Sequence, residues 1–336
     1  MTRALRNFLI ATAGCAVIAA CGSGSSSNDG GLTGGVNTAE LATITTQNAA
    51  AIAGVAAEVA MGQGAFSSIF TTDLPIASIG AGVAVAPVMK PVLSAAVKTA
   101  SPSRLYATSA GRENCAVSGT VDVQVTISDP VQPSINDQFV FQFTDCDDGT
   151  GVVVDGDMTI TIITLGGDVA SGNFLLGTRI RFSAFAVTES GETATADGTI
   201  SIEIDTSNPT VTRIAISTSA FVTTSAGREE VLTSFTVEIT EDASVFPVAV
   251  TVETSFTISS PRVGGSVTVT TSLALQSSGS DYPFEGELRI SGADGAVIVM
   301  IALDANTVRL EIDIDGDGAT DDTIDLTWDE LMAAAG

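Results

Sequence analysis

From Ala116 almost to its end the chain alternates apolar and polar residues with period two, the mark of strands with one dry and one wet face. Val117, Val121, Val123, Val125 and Ile127 interleave with Ser118, Thr120, Asp122, Gln124 and Thr126. The pattern returns in Met158, Ile160 and Ile162, in Ile180 and Phe182, in Ile200, Ile202 and Ile204, and in Phe235, Val237 and Ile239. It continues in Val248, Val250 and Val252, in Phe284, Leu288 and Ile290, and in Val308, Leu310 and Ile312. Gly, Asp, Asn and Pro separate these runs, and the template counts roughly thirteen strands. A glycine leads into an alternating strand at Gly119, Gly156, Gly198, Gly265 and Gly286, which repetition of hairpins explains. Short connections favour an antiparallel meander. The expected class is therefore mainly β, a curled sheet or half-barrel over residues 101–336, whose single apolar face needs a cover.

Residues 38–100 are the cover the sequence offers. Residues 41–61 are rich in alanine and place Ile52, Val55, Ala56 and Val59 on one helical stripe, with Thr45 or Thr46 as cap. Residues 74–89 are apolar but broken by Gly80, Gly82 and Pro87, too short and interrupted for a membrane span. Pro91 suits a first helical turn, so residues 92–98 are expected to form a second short helix.

The first hairpin contains a conflict. A tip near residues 129–132 sets Cys115 opposite Cys146, yet in that register Phe139, Phe141 and Phe143 face Asp122, Thr120 and Ser118. The apolar faces align only if the pairing slips by one residue, which predicts a bulge near the cysteines.

The amino-terminal residues follow a different logic. Arg3 and Arg6 precede an apolar stretch at residues 8–17, then small residues and a cysteine, which is the order of a secretory signal. Ile18-Ala19-Ala20-Cys21 resembles the lipobox of bacterial lipoproteins, and Gly22 to Gly31 read as a flexible polar leash. The resemblance implies removal of residues 1–20, acylation of Cys21 and a lipidated linker over residues 21–37. Several acyl chains hold a protein far more firmly than one. Gly22 in place of Asp is similar to the outer-membrane sorting signal of such lipoproteins. Cleavage before Cys15 would leave too short an apolar core.

The chain carries a formal charge of −26, and loss of Arg3 and Arg6 makes it more negative still. Such a surface excludes nucleic acid as a partner and leaves membrane affinity to the lipid. Cys115 and Cys146 are the cysteines outside the leader, and in an oxidising compartment they are expected to form one disulfide, with a free thiol as the alternative. With one Trp and two Tyr the chain lacks the aromatic girdles of an outer-membrane barrel.

Histidine is absent, which removes Ser-His-Asp, Cys-His and histidine-zinc chemistry. Glu285 and Glu287, on one strand face, are the pair a carbohydrate hydrolase could use, although Phe284, Leu288 and Ile290 beside them suit an ordinary strand. Asp145, Asp147 and Asp148, and Asp155 with Asp157, read as solvated turns. Trp328 is expected to be a closing core or rim residue of the last strand.

The sharpest motif is Asp313, Asp315 and Asp317 with Gly318, followed by Asp321 and Asp322. It resembles the Asp-x-Asp-x-Asp-Gly calcium loop of EF-hand and dockerin families, and the resemblance implies one structural Ca2+ held by oxygen ligands. Position twelve is Ile324 where those loops have a bidentate glutamate, so Asp321, Asp322 or Asp325 must substitute. The other reading is an Asp/Gly turn that binds nothing.

The whole order of parts resembles uncharacterised β-rich lipoproteins of Proteobacteria, a likeness of layout. The expected role is a non-enzymatic structural or binding one, anchored by lipid in the cell envelope, with an envelope protein or glycan as partner. One alternative is a carrier holding a lipid or other hydrophobic ligand between sheet and helix, where the small residues Ala49 to Ala51, Gly54, Ala56 and Ala57 leave room. Those residues equally allow close packing of helix on sheet. The second alternative is the carbohydrate hydrolase.

Overall fold

The computed structural model describes residues 40–61, 109–128, 134–147, 149, 151–168, 172–278 and 282–335. The signal segment, Cys21, the linker, the apolar stretch at 74–89, the second helix expected at 92–98, the hairpin tip at 129–132 and Asp148 lie outside these residues.

Period-two patterning builds one antiparallel sheet of fourteen strands in which every strand pairs with its neighbours in sequence. They are β1 (Ser109–Asn114), β2 (Ser118–Thr126), β3 (Gln138–Asp147), β4 (Val152–Asp168), β5 (Asn173–Glu189), β6 (Glu192–Asn208) and β7 (Val211–Ser225). There follow β8 (Arg228–Asp242), β9 (Ala249–Ser260), β10 (Gly265–Ser277), β11 (Glu285–Ser291), β12 (Val297–Ala302), β13 (Thr307–Asp313) and β14 (Asp322–Thr327). The meander is thus as expected, with one strand more than the pattern counted. It does not close into a barrel: β1 and β14 are its edges. No described helix is long and apolar enough to cross a membrane.

The strands are unequal. β4, β5 and β6 have 17 residues each, whereas β11 to β14 have six or seven. Register shifts interrupt every ladder from β2/β3 to β10/β11 except β7/β8, and are absent from the short strands that follow. Such bulges bend a strand and raise its twist, so they let strands this long curl around one core.

Four glycines of the repeat, Gly119, Gly156, Gly198 and Gly286, stand at these bulges, whereas Gly265 follows the β9–β10 hairpin turn, so repetition of hairpins accounts for only part of the pattern. Gly156 (φ 91°) lies opposite Phe143, and a Cβ there would sit 2.1 Å from the Ala184 carbonyl oxygen. Gly198 (φ 132°) lies between Phe182 and Phe221, and a Cβ there would come within 2.7 Å of the Ala220 oxygen. Without side chains in the way, rings from the flanking strands meet across each glycine strand. Phe143 and Phe185 stand edge to face at 6.1 Å, and Phe182 and Phe221 at 5.7 Å.

The conflict in the first hairpin is resolved by a bulge beside the cysteines, as the faces require. Val121, Val123 and Val125 pair with Phe143, Phe141 and Phe139, and the register shifts between Ser118 and Thr120. The slip from the cysteine-paired register is three residues and not one; any odd slip restores the dry face. Cys115 and Cys146 form the expected disulfide across a separation of 31 residues, and chain-entropy arithmetic gives such a loop closure about 3.7 kcal/mol. Val117, grouped with the apolar set, is instead 66% exposed in the turn before β2.

Among the described residues two α-helices pack on the dry face, against β9 and β12 to β14. The first, α1 (Ala49–Ala60), starts later than the alanine-rich run, and Asn48 occupies the cap position instead of Thr45 or Thr46. Thr45 lies one turn earlier: its hydroxyl accepts the Asn48 N–H at 3.3 Å, while Asn48 Oδ1 accepts the Thr45 N–H at 2.8 Å. Ile52, Val55, Ala56 and Val59 are all buried. The other described helix, α2 (Trp328–Ala334), is carboxy-terminal and has no counterpart in the sequence reading. Thr327 caps it: its hydroxyl accepts the Glu330 N–H at 3.2 Å, and the Glu330 carboxylate accepts the Thr327 N–H at 2.8 Å. Trp328 is core, as expected, but as the first residue of this helix; it stacks on Tyr282 at 5.6 Å and donates to the Asp304 carbonyl at 3.2 Å. The helices meet where α1 is smallest, since a Cβ on Gly54 would lie 2.5 Å from the Leu331 carbonyl oxygen.

Candidate functional site

The turn from β13 to β14 carries the aspartate motif. Asp313 ends β13, and its two oxygens accept the N–H groups of Gly316 at 2.7 Å and Gly318 at 2.9 Å. Asp315 accepts the Asp317 N–H at 3.2 Å, and Asp317 accepts the Ala319 N–H at 2.7 Å. Each aspartate therefore curls the backbone around itself, and Gly316 (φ 74°) supplies the left-handed step. Asp313, Asp315 and Asp317 each bring a carboxylate oxygen within 4.8 Å of the others. Three hard anionic oxygens at that spacing suit a calcium-sized cation completed by water or carbonyls.

The two other predicted ligands are not part of this group. Asp321 accepts the Ile314 N–H at 2.8 Å and so pins the turn from its far side. Asp322 opens β14 and accepts the Thr323 N–H at 2.8 Å. Asp325 is engaged by Arg309 at 2.7 and 3.0 Å, and that hydrogen bonding draws its carboxyl below the usual carboxylate range. Ile324, where a closing glutamate would stand, is half-buried opposite Leu310 in the ladder.

Among the described residues no other acidic candidates form a group of three or more at metal-binding spacing. Gly286 faces the core, since a Cβ there would meet Leu275, so its neighbours Glu285 and Glu287 point to the opposite, wet face. The solvated turns expected at the other aspartates are instead strand: Asp145 and Asp147 end β3, where Asp147 accepts the Gly149 N–H at 2.8 Å in an Asx turn, and Asp155 and Asp157 lie within β4, where Asp155 accepts the N–H of its neighbour Gly156 at 2.9 Å.

Two groups escaped the sequence reading. Arg262, in the β9–β10 turn, is paired with Glu230 of β8 at 2.7 Å and with Glu58 of α1 at 2.5 Å, and its side chain is 13% exposed. Burial alone would lower the Arg262 pKa, but hydrogen bonds to the two glutamates overcome this and raise it. Its partner on α1 lies 204 residues away, so no spacing could reveal the pair. Glu241 of β8 continues the apolar register of Val237 and Ile239, is 7% exposed, and makes no hydrogen bond or ion pair among the described residues. Burial pushes its carboxyl pKa up. Here a signal existed, a carboxylate at a dry position of the alternation.

Set against protein-family models, curated proteins and solved structures, the chain finds no match in any of the three.

Proposed function

We propose that this chain is a lipid-anchored protein of the cell envelope, tethered through Cys21, that acts by binding or scaffolding and not by catalysis. The observation that carries the non-carrier reading is the contact at Gly54: the smallest residue of α1 is spent on close approach to α2, and not on a void. The absence of histidine points away from catalysis that depends on it. Asp313, Asp315 and Asp317 are its calcium ligands, with an affinity of ~0.1 to 1 mM expected of extracellular-type sites.

A second reading has one observation in its favour. Phe141, Phe143, Phe182, Phe185 and Phe221 form an apolar row on β3, β5 and β7, whereas the two described helices lie against β9, β12, β13 and β14. Such a row suits a carrier of acyl chains.

Labelling the full chain with palmitate in a bacterial host tests the anchor: the wild type takes up label and Cys21→Ser does not. An unlabelled wild type, or a labelled variant, overturns it. Native mass spectrometry of the detergent-extracted protein separates the two roles. An empty chain binding one calcium, lost in Asp313→Asn with Asp315→Asn, supports the scaffold, and an amphiphile at near-unit occupancy supports the carrier.

A further inference from the structure

Ten large hydrophobic side chains stand exposed among the described residues. Six of them, Ile135, Val245, Phe246, Val248, Phe284 and Leu303, lie in connections at one end of the strands. Isolated exposed apolar residues are ordinary, but a concentration at one end marks an interaction surface. The ladders put three of these connections level: Glu241 pairs with Val250, Val250 with Ser277, Gln276 with Glu285, and Gly286 with Ala302. The β8–β9, β10–β11 and β12–β13 connections therefore stand side by side, about 10 Å from one to the next.

Phe246 is the most exposed of them, at 99%. Its turn is held in place, since the Ala243 N–H donates to the Thr210 carbonyl at 2.8 Å and the Ser244 N–H donates to Asp242 at 2.8 Å. An ordered loop that presents a phenylalanine wholly to solvent has the form of a binding anchor.

The charge around it has one sign. The described residues of the connections at this end include Asp137 and Asp304 but no Lys or Arg, and the strand ends add Asp205, Glu241, Asp242 and Glu285. Arg213 stands opposite Asp205 in the ladder, and Arg309 is taken by Asp325. Glu241 is 7% exposed as a residue, yet no described side-chain oxygen is both buried and unpartnered, so its carboxylate keeps an edge open to an incoming cation and has no cationic partner among the described residues.

We propose that this end of the sheet docks another protein, one that offers an apolar pocket to Phe246 rimmed by lysine or arginine. A phospholipid surface fits less well, because the connections have no basic residue to meet phosphate. A second copy would set acid against acid on a chain of charge −26. The inference gives the binding role proposed above its location and rests on that reading.

The test is a photo-crosslinking phenylalanine at position 246 of the full chain in its native host, with the same probe at Thr236 on the wet face as control. The expected result is one adduct with a different protein, crosslinked beside Lys or Arg and absent from the control. That adduct falls about tenfold in Glu241→Gln with Glu285→Lys, which spare the hydrogen bonds of the turn. A lipid adduct, a self-adduct, no adduct, or one that survives these substitutions overturns the proposal. Because the wild-type anchor is kept, failure here leaves the palmitate result standing, and the two failures are distinguishable.

Discussion

Replacing Arg262 by methionine keeps most of the side chain's length and removes its charge. Glu58 and Glu230, 20% and 13% exposed, then face each other without a cation, and the Ser260 hydroxyl that donates to Glu230 at 2.8 Å is left to hold it alone. Removing one member of a buried ionic group costs about 3 to 5 kcal/mol, chiefly through the charges left behind. These side chains keep some solvent, so a loss of about 3 kcal/mol is expected, or about 6 °C at ~2 °C per kcal/mol for a unit of this size. Urea unfolding followed by circular dichroism measures the first, and a thermal scan the second.

The same reasoning fixes two controls. Glu58→Leu and Glu230→Leu added to Arg262→Met replace the whole ionic group by apolar contact and should recover most of the loss. Arg309→Ala breaks an ion pair at the surface and should leave the midpoint unchanged within error. A single variant no less stable than Arg309→Ala, or a triple variant as unstable as the single, would refute the view that Arg262 matters as the counter-charge of a helix-to-sheet clamp.

Gly54→Ala sets two effects against each other: helix propensity alone favours alanine by ~1 kcal/mol, while overpacking against the Leu331 carbonyl costs about 1 to 3 kcal/mol. We expect a net loss together with a red shift of emission from Trp328, the sole tryptophan; a more stable variant would show that the helices are not in contact. Hydrogen bonds from the Thr327 N–H and hydroxyl hold the Glu330 pKa down, so the contribution of this cap is complete above the ordinary glutamate value and lost as pH falls through the lowered one. In an acid titration Thr327→Ala should bring the change in Trp328 emission to higher pH than in the wild type, and coincident curves would count against the capping box. Glu241 has a raised pKa, so its charge destabilises the fold above that value and the penalty fades as pH falls through it. Glu241→Gln should therefore raise the melting temperature at neutral pH and give no gain in acid; a lower melting temperature at neutral pH would mean that the carboxylate has a structural partner.

The fold was legible because burial on one face imposes a period that single residues cannot hide. Where Val237 and Ile239 alternate with Thr236 and Glu238, the strand follows directly. What the pattern could not show is how one-faced strands as long as β4 to β6 avoid lying flat. That depends on Gly156 and Gly198 being mid-strand, and a period-two template reads a mid-strand glycine as a boundary. The carboxy-terminal helix was missed for a related reason. Seven residues are too few to display a helical stripe, and its local signal was the spacing of Thr327 and Glu330.

The candidate sites divide along the same line. The aspartate turn could be read in advance because its carboxylates are local: Asp313 and Asp317 are four residues apart, and the backbone between them does the folding. Arg262 could not, because its meaning is made by two carboxylates that tertiary packing brings to it. The apolar end is an intermediate case. Val245, Phe246 and Val248 are visible as a cluster, yet a cluster in sequence is as easily core as surface, and Val248 was grouped with a strand on that ground. Only the ladder, which ends β8 at Asp242 and resumes at Ala249, puts them outside the sheet and beside Phe284 and Leu303. Exposure is a property of where strands stop, and a meander brings alternate stops to one end. A chain of this topology can therefore assemble a surface from short connections that share no motif.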